Sequence, residues 1–150
     1  MPGGPLKIGG IEVPHDHHMD GHSDADVLLH AVTDAILGAA SLGDIGDMFP
    51  NTAPENKGRD SAEMLSLASN RATDLGFAVI NVDCVILAEK PKLGEFKQAI
   101  AERIGNILRI TTYKVGVKAK TGEGLGPVGE GKLIEAHCVV LLSRIPGDRL

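Results

Sequence analysis

An α/β (α+β) fold is what this sequence predicts, on three observations. Apolar residues recur at helical spacing in three stretches, β-branched runs of strand length stand between and after them, and no repeat, linker or shift of composition divides the 150 residues. One domain over residues 1–150 follows, with 43% hydrophobic residues to build its core.

Taken in order, Leu6 to Val13 reads as a short strand broken by Gly9-Gly10, and it leads into the polar loop PHDHHMDGHS. The next stretch, GHSDADVLLHAVTDAILGAA, carries His22, Asp26, His30 and Asp34 at intervals of four. Four residues turn a helix by about 400°, so this ladder drifts only about 40° per step and keeps to one face. Val27, Leu28, Ala31, Ile36 and Leu37 supply the apolar side, Ser23 or Asp24 can cap the first turn, and Gly43 closes the helix. A loop rich in turn residues runs to Pro54, and Asp60 with Glu63 makes a capping box for a helix marked by Met64, Leu65, Ala68, Ala72 and Leu75. Gly76 ends it. Ala78 to Ala88 is a β-branched strand, and Phe96, Ile100, Ile104 and Ile107 mark another helix. Tyr113 to Ala119 is a strand, Gly122 to Gly131 a glycine-rich loop, and Ile134 to Ser143 a last strand with a buried face. The predicted order is β, α, α, β, α, β, β.

Composition excludes several functions. Aromatics make up 3% of the chain with no Trp, which leaves no surface for stacking bases, and a net charge of -5 argues against a nucleic-acid partner. The longest apolar runs, such as CVVLL, fall far short of the roughly 20 residues of a membrane span, and no signal-like start is visible, so the expectation is a cytoplasmic protein off the membrane. Cys84 and Cys138 lie in apolar strand-like runs and read as reduced core thiols.

Three stretches can carry chemistry. In the ladder, His30 with other nearby donors can hold a divalent metal, since such sites take about three His or carboxylate ligands; an isolated Asp/His pair would be as readily a solvated salt bridge. The preceding loop adds His15, Asp16, His17, His18 and Asp20, which reads either as a second metal site or as solvated side chains. The second stretch, LAEKPKL, sets Lys90-Pro91-Lys92 at the mouth of a sheet, where ligands of α/β sheets bind, or where a solubilising turn would sit. The third, VKAKTGEGLGPVGEGK, contains G-x-G-x-x-G, but LIEAHCVVLL behind it reads as strand, so the helix that would hold a dinucleotide is missing. Beside Lys118, Lys120, Thr121 and Glu123 such a loop suits a phosphate chain and its metal, through backbone N–H groups, a hydroxyl and a carboxylate. Ser23 and Ser61 lack the context of a hydrolase nucleophile.

The run GHSDADVLLHAVTDAILGAASLGDIGDMFPNT, then Ser61, NVDCVILAEKPKL and VKAKTGEGLG, in this order and spacing, resembles the 2-C-methyl-D-erythritol 2,4-cyclodiphosphate synthases of the non-mevalonate isoprenoid pathway, from about Gly9 to Leu142. The resemblance implies a mixed β-sheet with helices on one face, a homotrimer whose sheets face a central axis, and active sites between neighbours. It implies a lyase reaction on a cytidine diphosphate-linked small molecule: the 2-phosphate of 4-diphosphocytidyl-2-C-methyl-D-erythritol 2-phosphate attacks the β-phosphorus, closes a cyclic diphosphate and expels CMP. Carried over by position, His30 matches a Zn²⁺ ligand, Glu123 a Mg²⁺ ligand, and His22 and Thr121 the groups that steady the phosphoryl transition state. His22, Ser23, Asp44, Ile45, Gly46, Phe49, Pro50, Asn51, Thr52 and Ala53 match the pocket for the methylerythritol end. Ala88 to Gly94, including Lys92 and Leu93, match with Lys120 and Thr121 the cytidine and phosphate wall from an adjacent subunit. Asp26 and Asp34 are expected to orient the imidazoles.

The chain departs from the family where members open with a strand carrying G-x-D-x-H, whose Asp and His are two more Zn²⁺ ligands. That pattern is not in these 150 residues. A start placed too far downstream, a substitute D-x-H in Asp16-His17-His18, or a trimer that binds isoprenoid diphosphates or cytidine nucleotides without efficient turnover would each account for it. Pro127 stands where many members have Phe, and Glu130 and Lys132 where many have Arg and Glu.

Overall fold

The computed structural model describes residues 6–14, 26–56 and 58–145. Leu6–Ile8 (β1) and Ile11–Val13 (β2) pair antiparallel. Where a single interrupted strand is expected, the chain folds back on itself, because Gly9 and Gly10 both take positive φ (63° and 78°), the conformation of a two-residue hairpin turn. Leu6, Ile8 and Val13 from this hairpin are buried in the main core.

The ladder helix is shorter than its pattern. It spans Val27–Ala39 (α1), and Asp26 is its N-cap in extended conformation, its side chain accepting from Leu29 N–H at 3.0 Å. The same fully buried carboxylate accepts from Gly9 N–H at 2.9 Å and Gly10 N–H at 2.7 Å. One acid therefore stitches the hairpin turn to the start of α1, and these N–H donors are what a carboxylate needs to leave water. Leu28, Leu29, Val32, Ile36 and Leu37 form the buried side, and buried Thr33 returns its hydroxyl to Leu29 C=O at 2.8 Å.

A four-residue helix, Ile45–Met48 (α2), sits inside the predicted loop, capped by a reciprocal Asp44/Asp47 box. Ser61–Asp74 (α3) follows, capped by Asp60 through Ala62 N–H at 3.0 Å. The expected partner Glu63 does not close a box there; it pairs with Arg59 at 2.8 Å. Phe77–Leu87 (β3), Lys97–Leu108 (α4), Val115–Lys120 (β4), a single turn at Gly126–Gly129 (α5) and Glu135–Arg144 (β5) follow, with 3-10 turns at Pro54–Asn56, Gly94–Phe96 and Thr112–Lys114, the second running directly into α4.

These three long strands form a mixed sheet in the order β4-β3-β5, with β3 parallel to β4 and antiparallel to β5, and with a register shift at Val79/Asn81. Alternate residues sort by face. Val82, Cys84 and Ile86 of β3, with Cys138 and Val140 of β5, face the core on which α1, α3 and α4 pack, α1 across β5 and α4 along β4. The other face carries Asp83, Lys118, Val139 and Leu141 in the open, the last two 73% and 58% exposed. Cys84 and Cys138 are register partners with their Sγ atoms 3.9 Å apart, both as free thiols. The Cys84 thiol beside it, then burial, push the Cys138 thiol up from its ordinary range.

Candidate active site

The implied site residues fall into two groups. His22 and Ser23, like the His15 to Asp20 loop, lie outside the described residues. The first group stands on α1, α2 and the loop that follows. His30 is in the first turn of α1, half-buried, with Nε2 2.8 Å from Ser61 Oγ at the buried start of α3. Asp34 does not orient an imidazole; its carboxylate accepts from Ile45 N–H at 2.6 Å and so holds α2 against α1. Asp44 is committed to its cap on Asp47 N–H at 2.9 Å, with Ile45 and Gly46 in the turn it starts. Phe49 is buried under the Arg59 guanidinium, 5.0 Å from the ring centroid. Arg59 reaches Asn56 Oδ1 at 2.8 Å, and Asn56 donates to Pro50 C=O at 2.7 Å, which clamps the Pro50, Asn51, Thr52, Ala53 segment to α3.

The second group converges where β3 and β4 end. Being parallel neighbours, these strands finish at the same edge, and Ala88 N–H reaches Lys120 C=O at 2.9 Å there. Ala88, Lys92, Leu93, Lys120 and Thr121 line one cavity of about 260 Å³. Gly94, Lys97 and Ala119 complete the lining. Sequence reasoning does not single out Lys97 or Ala119. Ala119 is one step before Lys120 on a strand, and Lys97 falls on the polar side of α4, where a solvated lysine is the ordinary case.

Two of the expected cations are elsewhere. Lys118 points to the open face of the sheet and pairs with Asp83 at 2.9 Å, and Lys90 is outside the cavity lining. The glycine-rich loop also differs from an open phosphate cradle. A Cβ on Gly122 would run into the backbone of Gly129, and one on Gly129 into the backbone of Gly124, so these glycines allow the loop to fold onto itself. Two of its N–H groups are already engaged: Gly122 N–H donates to Glu89 Oε1 at 3.1 Å and Glu123 N–H to Thr121 Oγ1 at 3.2 Å. Glu89 thus ties the end of β3 to the segment after β4. Glu123 is held at φ 54°, a left-handed conformation uncommon for a residue with a side chain. Lys132 Nζ stands 3.8 Å from Glu130 Oε1, so the two departures in this loop face each other.

Among the described residues no group of three or more His, Cys, Asp or Glu side chains could hold a metal ion. His30 and Glu123 each bring one donor from different parts of the chain. The described residues therefore do not by themselves assemble a metal centre. What the cavity offers is positive charge without a lining carboxylate, a hydroxyl at Thr121 and an apolar floor at Leu93, Ala88 and Ala119. That combination suits a polar ring joined to phosphates.

A model of the YgbB family matches residues 1–143. The chain is 50% identical over 143 residues to the 2-C-methyl-D-erythritol 2,4-cyclodiphosphate synthase of Rhodopirellula baltica, covering 95% of this chain and 86% of that one. It is similar in structure to a 2C-methyl-D-erythritol-2,4-cyclodiphosphate synthase in its CDP-bound form, with a TM-score of 0.87 at 34% identity over 95% of this chain and 93% of that one. The bifunctional IspDF of Campylobacter jejuni matches with a TM-score of 0.90 at 39% identity over 94% of this chain, which spans 38% of that longer protein.

Proposed function

We infer that this chain, which belongs to the YgbB family, catalyses the intramolecular cyclisation of 4-diphosphocytidyl-2-C-methyl-D-erythritol 2-phosphate to 2-C-methyl-D-erythritol 2,4-cyclodiphosphate with release of CMP. The observation that carries this reading is the cavity at the ends of β3 and β4, built from residues matched to the family's nucleotide wall, in a chain similar over 95% of its length to a CDP-bound synthase. The relatives are named for turnover, which favours the cyclase over a trimer that only binds.

The nucleophile belongs to the substrate. A 2-phosphate oxygen forms a bond to the β-phosphorus, the bond from that phosphorus to the bridging oxygen of CMP breaks, and CMP leaves with the electron pair. The protein has to fold the substrate back on itself and offset its crowded charges. In this reading Lys92 and Lys120 counter phosphate charge, Ala88 and Leu93 seat the cytidine, and Thr121 with His22 steadies the transferring phosphoryl group. Asp44, Ile45, Gly46 and the clamped Phe49 to Ala53 segment receive the methylerythritol end, with Ser23. The cavity lining takes nothing from this second set, which supports two walls meeting across a subunit boundary. A homotrimer with facing sheets fits the open sheet surface, where Val139 and Leu141 stand uncovered. Zn²⁺ at His30 and Mg²⁺ at Glu123 belong to the same reading; one donor each is too few to define a site, so no step is routed through either ion. Among the described residues no helix is long and apolar enough to cross a membrane, and a cytoplasmic setting is part of the proposal.

The test is CMP release from that substrate by the purified chain with Mg²⁺ and Zn²⁺, beside a chain extended by a G-x-D-x-H strand and beside Thr121→Ala. Release that falls at least tenfold in Thr121→Ala supports the reading. No release from either form overturns it.

A further inference from the structure

Lys97 occupies the first position of α4 and lines the cavity with Lys92 and Lys120. Among the described residues none of these three lysines has an ion-pair partner, and the lining holds no carboxylate. In a chain of net charge -5, three uncompensated ammonium groups around one cavity are a concentration of positive potential that the overall charge opposes.

The position of Lys97 sharpens this. A helix N-terminus carries the positive end of the peptide dipole and favours acids. α1 and α3 follow that rule, starting on Asp26 and Asp60. α4 is built differently: it runs on from the 3-10 turn Gly94–Phe96, which carries Glu95, its N-cap Phe96 has no side-chain hydrogen bond, and its first residue is a lysine. Water alone can satisfy one exposed lysine at a helix start; what sets Lys97 apart is that it converges with Lys92 and Lys120 on one cavity that has no carboxylate in its lining.

We propose that Lys97 is a third phosphate-binding residue of this cavity, whose ammonium takes the phosphate of the bound cytidine nucleotide and so separates nucleotide from nucleoside. The proposal rests on the cavity being the nucleotide wall. A compact charge on a flexible stem suits a phosphate whose oxygens present no fixed fork. Negative charge grows on the CMP phosphate as its bond to the β-phosphorus breaks, so the contact strengthens in the transition state.

The test is calorimetric titration of CDP and of cytidine into the full chain, as wild type, Lys97→Met, Lys97→Arg and, as a lysine outside the cavity, Lys114→Met. Wild type is expected to bind CDP more tightly than cytidine. Lys97→Met is expected to weaken CDP about tenfold, leave cytidine unchanged and keep a thermal midpoint no lower than wild type. Lys97→Arg is expected to restore most of the affinity, and Lys114→Met to change nothing. CDP affinity unchanged in Lys97→Met, or CDP and cytidine weakened alike, overturns the role of Lys97 and leaves the cavity assignment standing. A wild-type chain that binds CDP no better than cytidine overturns both.

Discussion

The starts of α1 and α4 are built in opposite ways. At α1 a buried carboxylate accepts from the N–H groups of Gly9, Gly10 and Leu29, joining the hairpin to the helix and meeting the dipole with the opposite charge. At α4, which runs on from the turn Gly94–Phe96 with its Glu95, there is no side-chain cap, and a lysine stands at the first helical position. The first junction is capped by a buried acid; the second has no side-chain cap and opens on a cavity. The capped junction is the one closed to solvent, and the uncapped one is the one that opens on the lysine-lined cavity.

Asp26→Ala removes the acceptor from those N–H groups; unfolding in urea is expected to show a loss of about 3 kcal/mol or more, and about half of that for Asp26→Asn, which keeps one oxygen. At the cavity the corresponding pin is Glu89. Glu89→Ala frees Gly122 N–H and is expected to weaken CDP binding about tenfold, roughly 1.4 kcal/mol, with faster amide exchange at Gly122, whereas Glu89→Gln retains an acceptor and stays near wild type. Lys97→Glu sharpens the contrast in the other direction: placing an acid at the start of α4 is expected to raise stability by about 0.3–1 kcal/mol while CDP binding falls.

The smallest effect concerns the sheet between the two junctions. The Cys138 thiol is pushed up, first by the Cys84 thiol and then by burial. An unfolded cysteine loses its proton near about 8.5 while the folded one keeps it, so above that pH the native state binds more protons and stability falls as pH rises. Cys138→Val is expected to flatten that slope, and iodoacetamide to modify the native thiol far more slowly than the unfolded one.

Much of this was legible in the residues. α3, α4, β3 and β5 follow from apolar periodicity, because each is long enough to repeat its pattern. α2 and α5 are four residues each, a single turn that no period can reveal, and both hide among glycines and turn formers. The ladder reads as four groups on one helix face, yet Asp26 sits just outside the helix as its cap, since a side chain that accepts from its own N-terminus is worth more there than one turn of extra helix. Lys92, Lys120 and Thr121, matched to one wall through the family resemblance, line one cavity because they follow the ends of two parallel strands. Lys97 was not legible there, because its place in the lining depends on α4 turning its first residue back toward those ends, a tertiary fact.

The parallel pairing of β3 with β4 has a consequence for how such a protein can change over time. Both strands deliver their following residues to the same edge, and Ala88 N–H and Glu89 lock the two exits together. The cavity is thus built largely on the exits of the two strands, with Lys97 of α4 added from the side, and it lies away from the hairpin and from the start of α1. Substitutions at the exposed positions after Leu87 and Lys120 can change the lining without touching Asp26 or the α1 packing, whereas Ala88 and Leu93 belong to cavity and core at once and tie the two together.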